Sequence, residues 1–178
     1  MNTEGKLLQM LTGYAAAHQH PFNIFVHMIG IPTIMLGVLI PLTWIGFEIN
    51  SFHFLLAHLI IAGMFIFYLT LDVLFALVFA IGAYFLTMLA AKLGSYPGNT
   101  GWAIAAACFF GGYAAQFVGH AVEKSMPVLI KHPVQANLAA PFFTVVELFK
   151  IAGLREELFN SVQLQIALQR KQQTDAVT

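Results

Sequence analysis

Long apolar runs alternate with short polar breaks along most of this chain. Between Lys6 and Glu123 the only charged residues are Glu48, Asp72 and Lys92, which cut the interior into four uncharged stretches. A helix that crosses a membrane needs about 20 mostly apolar residues. The stretches near 24–47, 55–71, 73–91 and 102–120 meet that need, the second and fourth at the short end. Residues 46–52 hold Glu48, Asn50 and Ser51 and predict a polar turn. Thr70, Leu71 and Asp72 leave almost no loop between the second and third stretches, so a tight helical hairpin is expected there. Residues 92–101 (KLGSYPGNTG) predict a loop. Pro32 and Pro41 predict kinks in the first stretch, or an end near Ile40.

The region 142–170 differs in kind. Val145, Leu148, Ala152, Phe159 and Val162 fall roughly on one helical face, with Lys150, Arg155, Glu156 and Glu157 elsewhere. That pattern predicts an amphipathic helix lying on a membrane or on a partner. Composition supports the membrane reading. Of 178 residues 59% are hydrophobic and 9% charged, against about 25% charged in soluble domains. The fold class is therefore an all-α integral membrane protein, a single membrane domain over 1–178 with about four transmembrane helices and an amphipathic tail. The first 20 residues lack the apolar core and cleavage site of a signal peptide, so the first span is expected to be retained.

Charge placement sets orientation. Four spans put both termini on one side. Six of the eight basic residues follow Glu123 and Lys6 lies near the start, so that side is expected to be cytoplasmic. A bacterial inner membrane and the endoplasmic reticulum both suit such a chain. A net charge of zero offers no basic surplus for phosphates and excludes nucleic acid as an expected partner. The single cysteine, Cys108, excludes an intrachain disulfide and a multi-thiolate metal site.

Polar groups at membrane depth are costly and tend to line a cavity or a site. Here they form two clusters. The first holds Tyr14, His18, His20, Asn23 and His27; the second holds Gln116, His120, Glu123, Lys124, His132 and Asn137. Asn23 and His27 are four apart, on one helical face, and so are Tyr14 and His18. His18 and His27 cannot share a face of one straight helix, because nine residues turn the chain through about 180°. A break at His20-Pro21 would fold His18 back over the start of the span. Gln116, His120, Glu123 and Pro127, spaced four, three and four, form one stripe. With the termini on one side, both clusters reach the same membrane face. Three histidines with a carboxylate suit a non-haem Fe(II) site, although imidazole also suits copper and zinc. The plain alternative is a set of membrane-edge histidines bonded to carbonyls or headgroups. Two further readings stay open: a non-catalytic scaffold or small transporter, and a b-type haem held by a pair such as His27 and His58. The serine-hydrolase elbow, the zincin helix and the dinucleotide turn are all absent.

The ordered pair HxxxxNxxxHxxGxP, from His18 to Pro32, and QFVGHxxEKxxP, from Gln116 to Pro127, resembles the membrane 2-hydroxy fatty acid dioxygenase family. A fungal member of that family acts in phytosphingosine breakdown. The segment APFFxxxE, from Ala140 to Glu147, and Tyr68 four residues before Asp72 also fit, so the likeness runs roughly from Leu11 to Leu148. The resemblance implies Fe(II)-dependent α-oxidation, in which a 2-hydroxy fatty acid and O2 give the acid one carbon shorter and CO2. It maps the family's histidines onto His18, His27 and His120. Glu123, Asn23 and Tyr14 then become candidates for catalytic or ligand-orienting roles, with Glu123 as fourth ligand, base or acceptor for His120. Gln116, Lys124, His20 and His132 become candidates for binding the acid. Lys131-His132 departs from an acidic–amide pair common in relatives, which touches substrate detail near that loop.

Overall fold

The computed structural model describes residues 3–50 and 52–175. Eight helices and one small hairpin follow in the order α1 (Thr3–Ala15), α2 (Pro21–Thr43), β1 (Gly46–Ile49), β2 (Phe52–Leu55), α3 (Leu56–Leu69), α4 (Val73–Gly94), α5 (Thr100–Glu123), α6 (Val128–Lys131), α7 (Pro133–Ile151) and α8 (Glu156–Asp175). Four helices, α2, α4, α5 and α7, are long and apolar enough to cross a membrane. Their outward faces are apolar: Phe25, Tyr84, Phe85, Trp102 and Phe110 are each about 60–70% exposed, a surface that suits lipid rather than water.

The set of long helices differs from the predicted one at two places. The second predicted span is α3, whose 14 residues reach about 21 Å, short of a hydrocarbon core about 30 Å thick. The fourth long helix is instead α7, which the sequence presents as the front of an amphipathic tail. Of its polar positions, Glu147 is buried and receives Nζ of the exposed Lys150 at 3.3 Å, while Gln135 and Asn137 are exposed. The tail itself breaks after Ile151. Gly153 and Arg155 adopt left-handed backbone (φ +67° and +58°), and α8 starts afresh at Glu156.

Elsewhere local chemistry explains the boundaries. Pro21 occupies the first turn of α2, where its missing N–H costs nothing. The helix carries both Pro32 and Pro41 and ends at Thr43. Gly46–Ile49 then pairs antiparallel with Phe52–Leu55, Glu48 opposite His53, so the predicted polar turn falls within a β-hairpin, with its Ser51 outside the described residues. Asp72 caps α4 by accepting the Phe75 N–H at 3.0 Å, and it takes the Arg155 guanidinium at 2.5 Å. Trp44 packs on Trp102 with ring centroids 4.4 Å apart, and its indole N–H reaches Gly94 O at 3.0 Å.

The central contact is α2 against antiparallel α5. Gly30 and Gly37 on one helix, and Gly112 and Gly119 on the other, repeat at intervals of seven. A Cβ at Gly37 would stand 2.6 Å from Phe109 N, and one at Gly112 would stand 2.6 Å from Ile34 Cγ1. The bare backbones therefore touch, as small residues allow between membrane helices. This contact fixes the height of α5 relative to α2 and hence where their histidines meet. A second core of Tyr68, Phe75, Phe79, Phe142 and Phe143 joins α3, α4 and α7, and α1 and α8 cover it through Leu7, Leu11, Val162 and Ile166. Tyr68 donates its hydroxyl to Leu138 O at 2.8 Å, tying α3 to α7.

Candidate metal centre

Three histidines from three places in the chain converge. His18 follows α1, His27 lies in the second turn of α2 and His120 in the last turn of α5. Their exposures are 2, 2 and 3%. Ring centroids are 4.3 Å apart for His18–His27, 4.8 Å for His18–His120 and 4.9 Å for His27–His120. One ligand atom from each lies within 4.8 Å of the others.

Hydrogen bonds fix which ring nitrogen is free. His18 Nδ1 donates to Tyr14 O at 2.7 Å and His27 Nδ1 donates to Asn23 O at 2.9 Å. A carbonyl can only accept, so each Nδ1 carries the proton and each Nε2 keeps its lone pair. His120 reaches the same state through a relay. Its Nδ1 lies 2.9 Å from Ser125 Oγ, and Ser125 Oγ donates onward to Ala17 O at 3.3 Å. The serine hydrogen is thus committed; Asn23 Nδ2 also lies 3.5 Å from this Nδ1, but its two hydrogens go to Glu123 Oε2 and Ala17 O, so the serine oxygen is left to accept from the imidazole. Three neutral imidazoles with their Nδ1 protons tied back and their Nε2 lone pairs available form a donor set that a divalent metal requires. His18 Nε2 is buried with no hydrogen-bond partner, which is what an imidazole turned toward an ion would show. Burial first, and then the neighbouring His27, lower the His18 pKa from 6.5 to about 3, against the pull of the Tyr14 carbonyl. The ring is therefore neutral at any physiological pH.

The surrounding residues hold this geometry. Glu123 does not reach for a fourth ligand position. Its Oε1 accepts the Gln19 N–H at 2.7 Å and its Oε2 accepts Asn23 Nδ2 at 2.6 Å. Both oxygens are used in tying the segment after α1, and the start of α2, to the end of α5. Asn23 Nδ2 also donates to Ala17 O at 3.2 Å. Tyr14 stacks on His18 with centroids 4.2 Å apart and planes 5° apart, and Phe143 packs against both rings at 4.6 and 5.5 Å. Burial holds the Tyr14 phenol above its ordinary pKa, so it stays neutral.

The triad sits at one end of a cavity of about 310 Å³ bounded by α2, α3, α5, α7 and the segment after α5. Gln116 lines it one turn before His120, and its Nε2 is buried without a partner. The remaining candidates lie elsewhere. His20 is exposed and accepts the Phe22 N–H at 3.2 Å, so it serves as the cap of α2. Lys124 is exposed at the left-handed end of α5 (φ 56°), where the chain reverses and Ser125 N donates to His120 O at 3.1 Å. That reversal turns Lys124 outward and carries Ser125 inward. His132 is exposed and lines, with Lys131, an adjoining polar cleft that shares Tyr14, Pro127, Val128 and Ala136 with the cavity. His58 stands outside the cluster, its Nδ1 accepting the Leu55 N–H at 3.3 Å. Ser125 and Gln19 carry weight in the site and are silent in the sequence. Ser125 lies inside the second motif, yet only the reversal at Lys124 shows that it faces His120.

The family model for "2-hydroxy-palmitic acid dioxygenase Mpo1-like" matches residues 6–151. The chain belongs to the Mpo1-like family. All three clustered histidines, Gln116, Glu123 and Ser125 fall inside the matched region, while α8 lies beyond it. No curated protein and no solved structure gives a significant match to this Mpo1-like chain.

Proposed function

We propose that this protein is an Fe(II)-dependent dioxygenase that performs α-oxidation of 2-hydroxy fatty acids. The observation that carries the proposal is the three buried histidines with their Nδ1 protons bonded away, at the head of an apolar cavity. The family name supports the reaction class. The balanced change takes one 2-hydroxy acid and one O2 to the acid one carbon shorter, CO2 and water. His18, His27 and His120 would hold the metal, and Fe(II) supplies redox chemistry with O2 that no side chain in this cavity can perform. Gln116 Nε2, a buried donor without an acceptor, binds the acid's carboxylate or 2-hydroxyl oxygen. Tyr14 and Phe143 keep the His18 ring in its plane. Glu123, Asn23 and Ser125 are positioning residues: they set the orientation of His27 and His120 without touching the substrate. Lys124, His20 and His132 lie outside the cavity and take no part in the chemistry. α1 packs on α8 beside the triad, and most basic residues lie in the tail, so the site is assigned to the cytoplasmic face.

The test joins metal content and turnover in one detergent-purified sample. Iron is quantified by elemental analysis, and 2-hydroxypalmitate is supplied with O2. The acid one carbon shorter should form, vanish with a chelator and return with Fe(II). A folded sample that binds no stoichiometric metal and shortens no 2-hydroxy acid of any length would refute the reading in favour of a scaffold.

A further inference from the structure

The cavity that holds the triad is open along one side. Its floor is α2, from His27 to Val38 and Leu39. Eleven or twelve residues at 1.5 Å each give a depth of about 17 Å, close to the ~15 Å hydrocarbon depth of one bilayer leaflet. One wall is α5, held to α2 by the glycine contacts; the opposite wall is α3 and α7, which are tied to each other by Tyr68. Between the two walls the lining is also outer surface. Val38, Ile60 and Phe117 line the cavity and are 40, 45 and 46% exposed, and Asn137 is exposed beside them. At this height the outside is lipid.

Among the described residues, a side-chain hydrogen bond crosses that opening. Tyr113 Oη on α5 donates to Asn137 Oδ1 on α7 at 3.0 Å. The direction is fixed, because Asn137 Nδ2 is already donating to Pro133 O at 2.9 Å. Tyr113 lies two turns before His120, about 10 Å along α5 from the triad, so it spans the cavity near its middle. A hydroxyl and a carboxamide facing hydrocarbon would be costly if apart, which favours the closed pair whenever no chain is passing between them.

We propose that this opening is a lateral portal for an acyl chain. The hydrocarbon tail of a membrane-dissolved acid passes sideways between α5 and α7, the Tyr113–Asn137 bond closes behind it, and the end of the tail returns to lipid past Val38 and Ile60. The identity of the head group rests on the proposed dioxygenase reading; the path of the tail does not. A channel that is leaflet-deep and open at its far end sets a lower limit on chain length and no upper one.

The experiment uses the full chain in liposomes with 2-hydroxypalmitate carrying a diazirine on its last carbon. Photolysis followed by peptide mass spectrometry should place adducts on Val38, Leu39 and Ile60, and excess unlabelled acid should remove them. Adducts confined to outward residues such as Tyr84, Phe85 and Phe110, or adducts indifferent to the competitor, would overturn the portal. This readout needs no turnover: adducts at Val38 in a protein that shortens no acid would keep the portal and reject the dioxygenase, and turnover with adducts only outside would do the reverse. Tyr113→Phe tests the latch. With metal content and melting temperature as in wild type, KM for 2-hydroxypalmitate should rise about fivefold, the worth of one hydrogen bond, while kcat stays within about twofold. Unchanged KM, or equal losses in kcat and KM, would reject the latch, and Asn137→Ala should reproduce the Tyr113→Phe split. Val38→Trp, which narrows the far end, should cut turnover of 2-hydroxytetracosanoate at least tenfold more than that of 2-hydroxypalmitate. Equal effects on both acids would show that the tail does not leave there.

Discussion

Substitution of Glu123 separates a residue that does chemistry from one that holds other residues in place. The carboxylate accepts two hydrogen bonds, from Gln19 N at 2.7 Å and from Asn23 Nδ2 at 2.6 Å. Bonds to a charged acceptor contribute about 1.5–3 kcal/mol each. Gln19 N is only part-buried and can turn to water, so its loss costs little. Asn23 is fully buried, and its Oδ1 already lacks a partner. Glu123→Ala therefore removes about 2–3 kcal/mol, most of it through Asn23. Asn23 supplies the carbonyl that orients His27, and the same tie holds the end of α5 that carries His120. Loss of such supporting partners typically weakens a metal site 10- to 100-fold, and about 1.4–2.8 kcal/mol corresponds to that range. Glu123→Gln keeps one acceptor oxygen and should give an intermediate effect.

The assay is a metal titration of wild type, Glu123→Ala and Glu123→Gln in detergent, with melting temperature and turnover measured on the same samples. The expected order of metal affinity is wild type, then Gln, then Ala, with turnover at saturating metal largely retained in the Gln variant. Glu123→Gln with wild-type affinity and melting temperature but no turnover would refute the reasoning, because it would make the carboxylate a base. Glu123→Ala with unchanged affinity and stability would refute it from the other side.

Three further outcomes follow from the same geometry. Alanine at His18, His27 or His120 singly should abolish stoichiometric metal binding and turnover together, since two imidazoles remain; full activity in any one of the three would remove that residue from the ligand set. The His18 pKa is about 3 in the folded chain against 6.5 ordinarily, so below about pH 6.5 the unfolded chain takes up a proton that the folded one refuses. Its contribution to stability is whole above pH 6.5 and is lost as pH falls toward 3, by up to about 1.4 kcal/mol per pH unit; the metal-free melting temperature should fall less steeply with acid in His18→Gln, and an identical slope would contradict this. Gly37→Ala puts a Cβ 2.6 Å from Phe109 N and 2.8 Å from Ala105 O, both backbone, and should cost about 1–3 kcal/mol, whereas Gly82→Ala, which meets nothing within 4 Å, should lower the melting temperature not at all.

Much of the site was legible because helical spacing survives folding. His27 sits one turn after Asn23 and His120 one turn after Gln116, and a break at His20-Pro21 is what returns His18 to the start of α2. What escaped were contacts made where a helix ends. Lys124 and Ser125 are neighbours in the motif, yet one left-handed residue sends the first out and the second under His120. His20 reads as part of a polar cluster, but its ring is used on its own backbone as a cap. The long helix α7 was hidden for a related reason. Glu147 and Lys150 mark it as amphipathic in sequence, whereas in the structure Glu147 is buried and takes the ammonium of the exposed Lys150 one turn on. The hairpin at 46–55 was masked by hydrophobicity that suits a helix and a strand equally well.

On the proposed reading, the charge of the cavity links the metal to the acid. No aspartate, glutamate, lysine or arginine lines it among the described residues, and Glu123, one turn after His120, spends both oxygens on Gln19 and Asn23. A divalent ion held by three neutral imidazoles keeps its whole double charge in a largely apolar space, and an uncompensated buried charge costs several kcal/mol. An ionised carboxylate entering alone would meet the opposite problem, with Gln116 Nε2 as a buried unengaged donor. Each therefore relieves the other. On the proposed reading a 2-hydroxy acid brings the negative charge that the protein withholds, so acid and metal should each bind more tightly in the presence of the other, and by the same factor. A conventional site with a carboxylate ligand would have half of that charge cancelled in advance and would couple the two less strongly. On the same reading, the lack of an acidic ligand among the described residues would make an acid-free, metal-loaded cavity a poor resting state and an acid-filled one a good one.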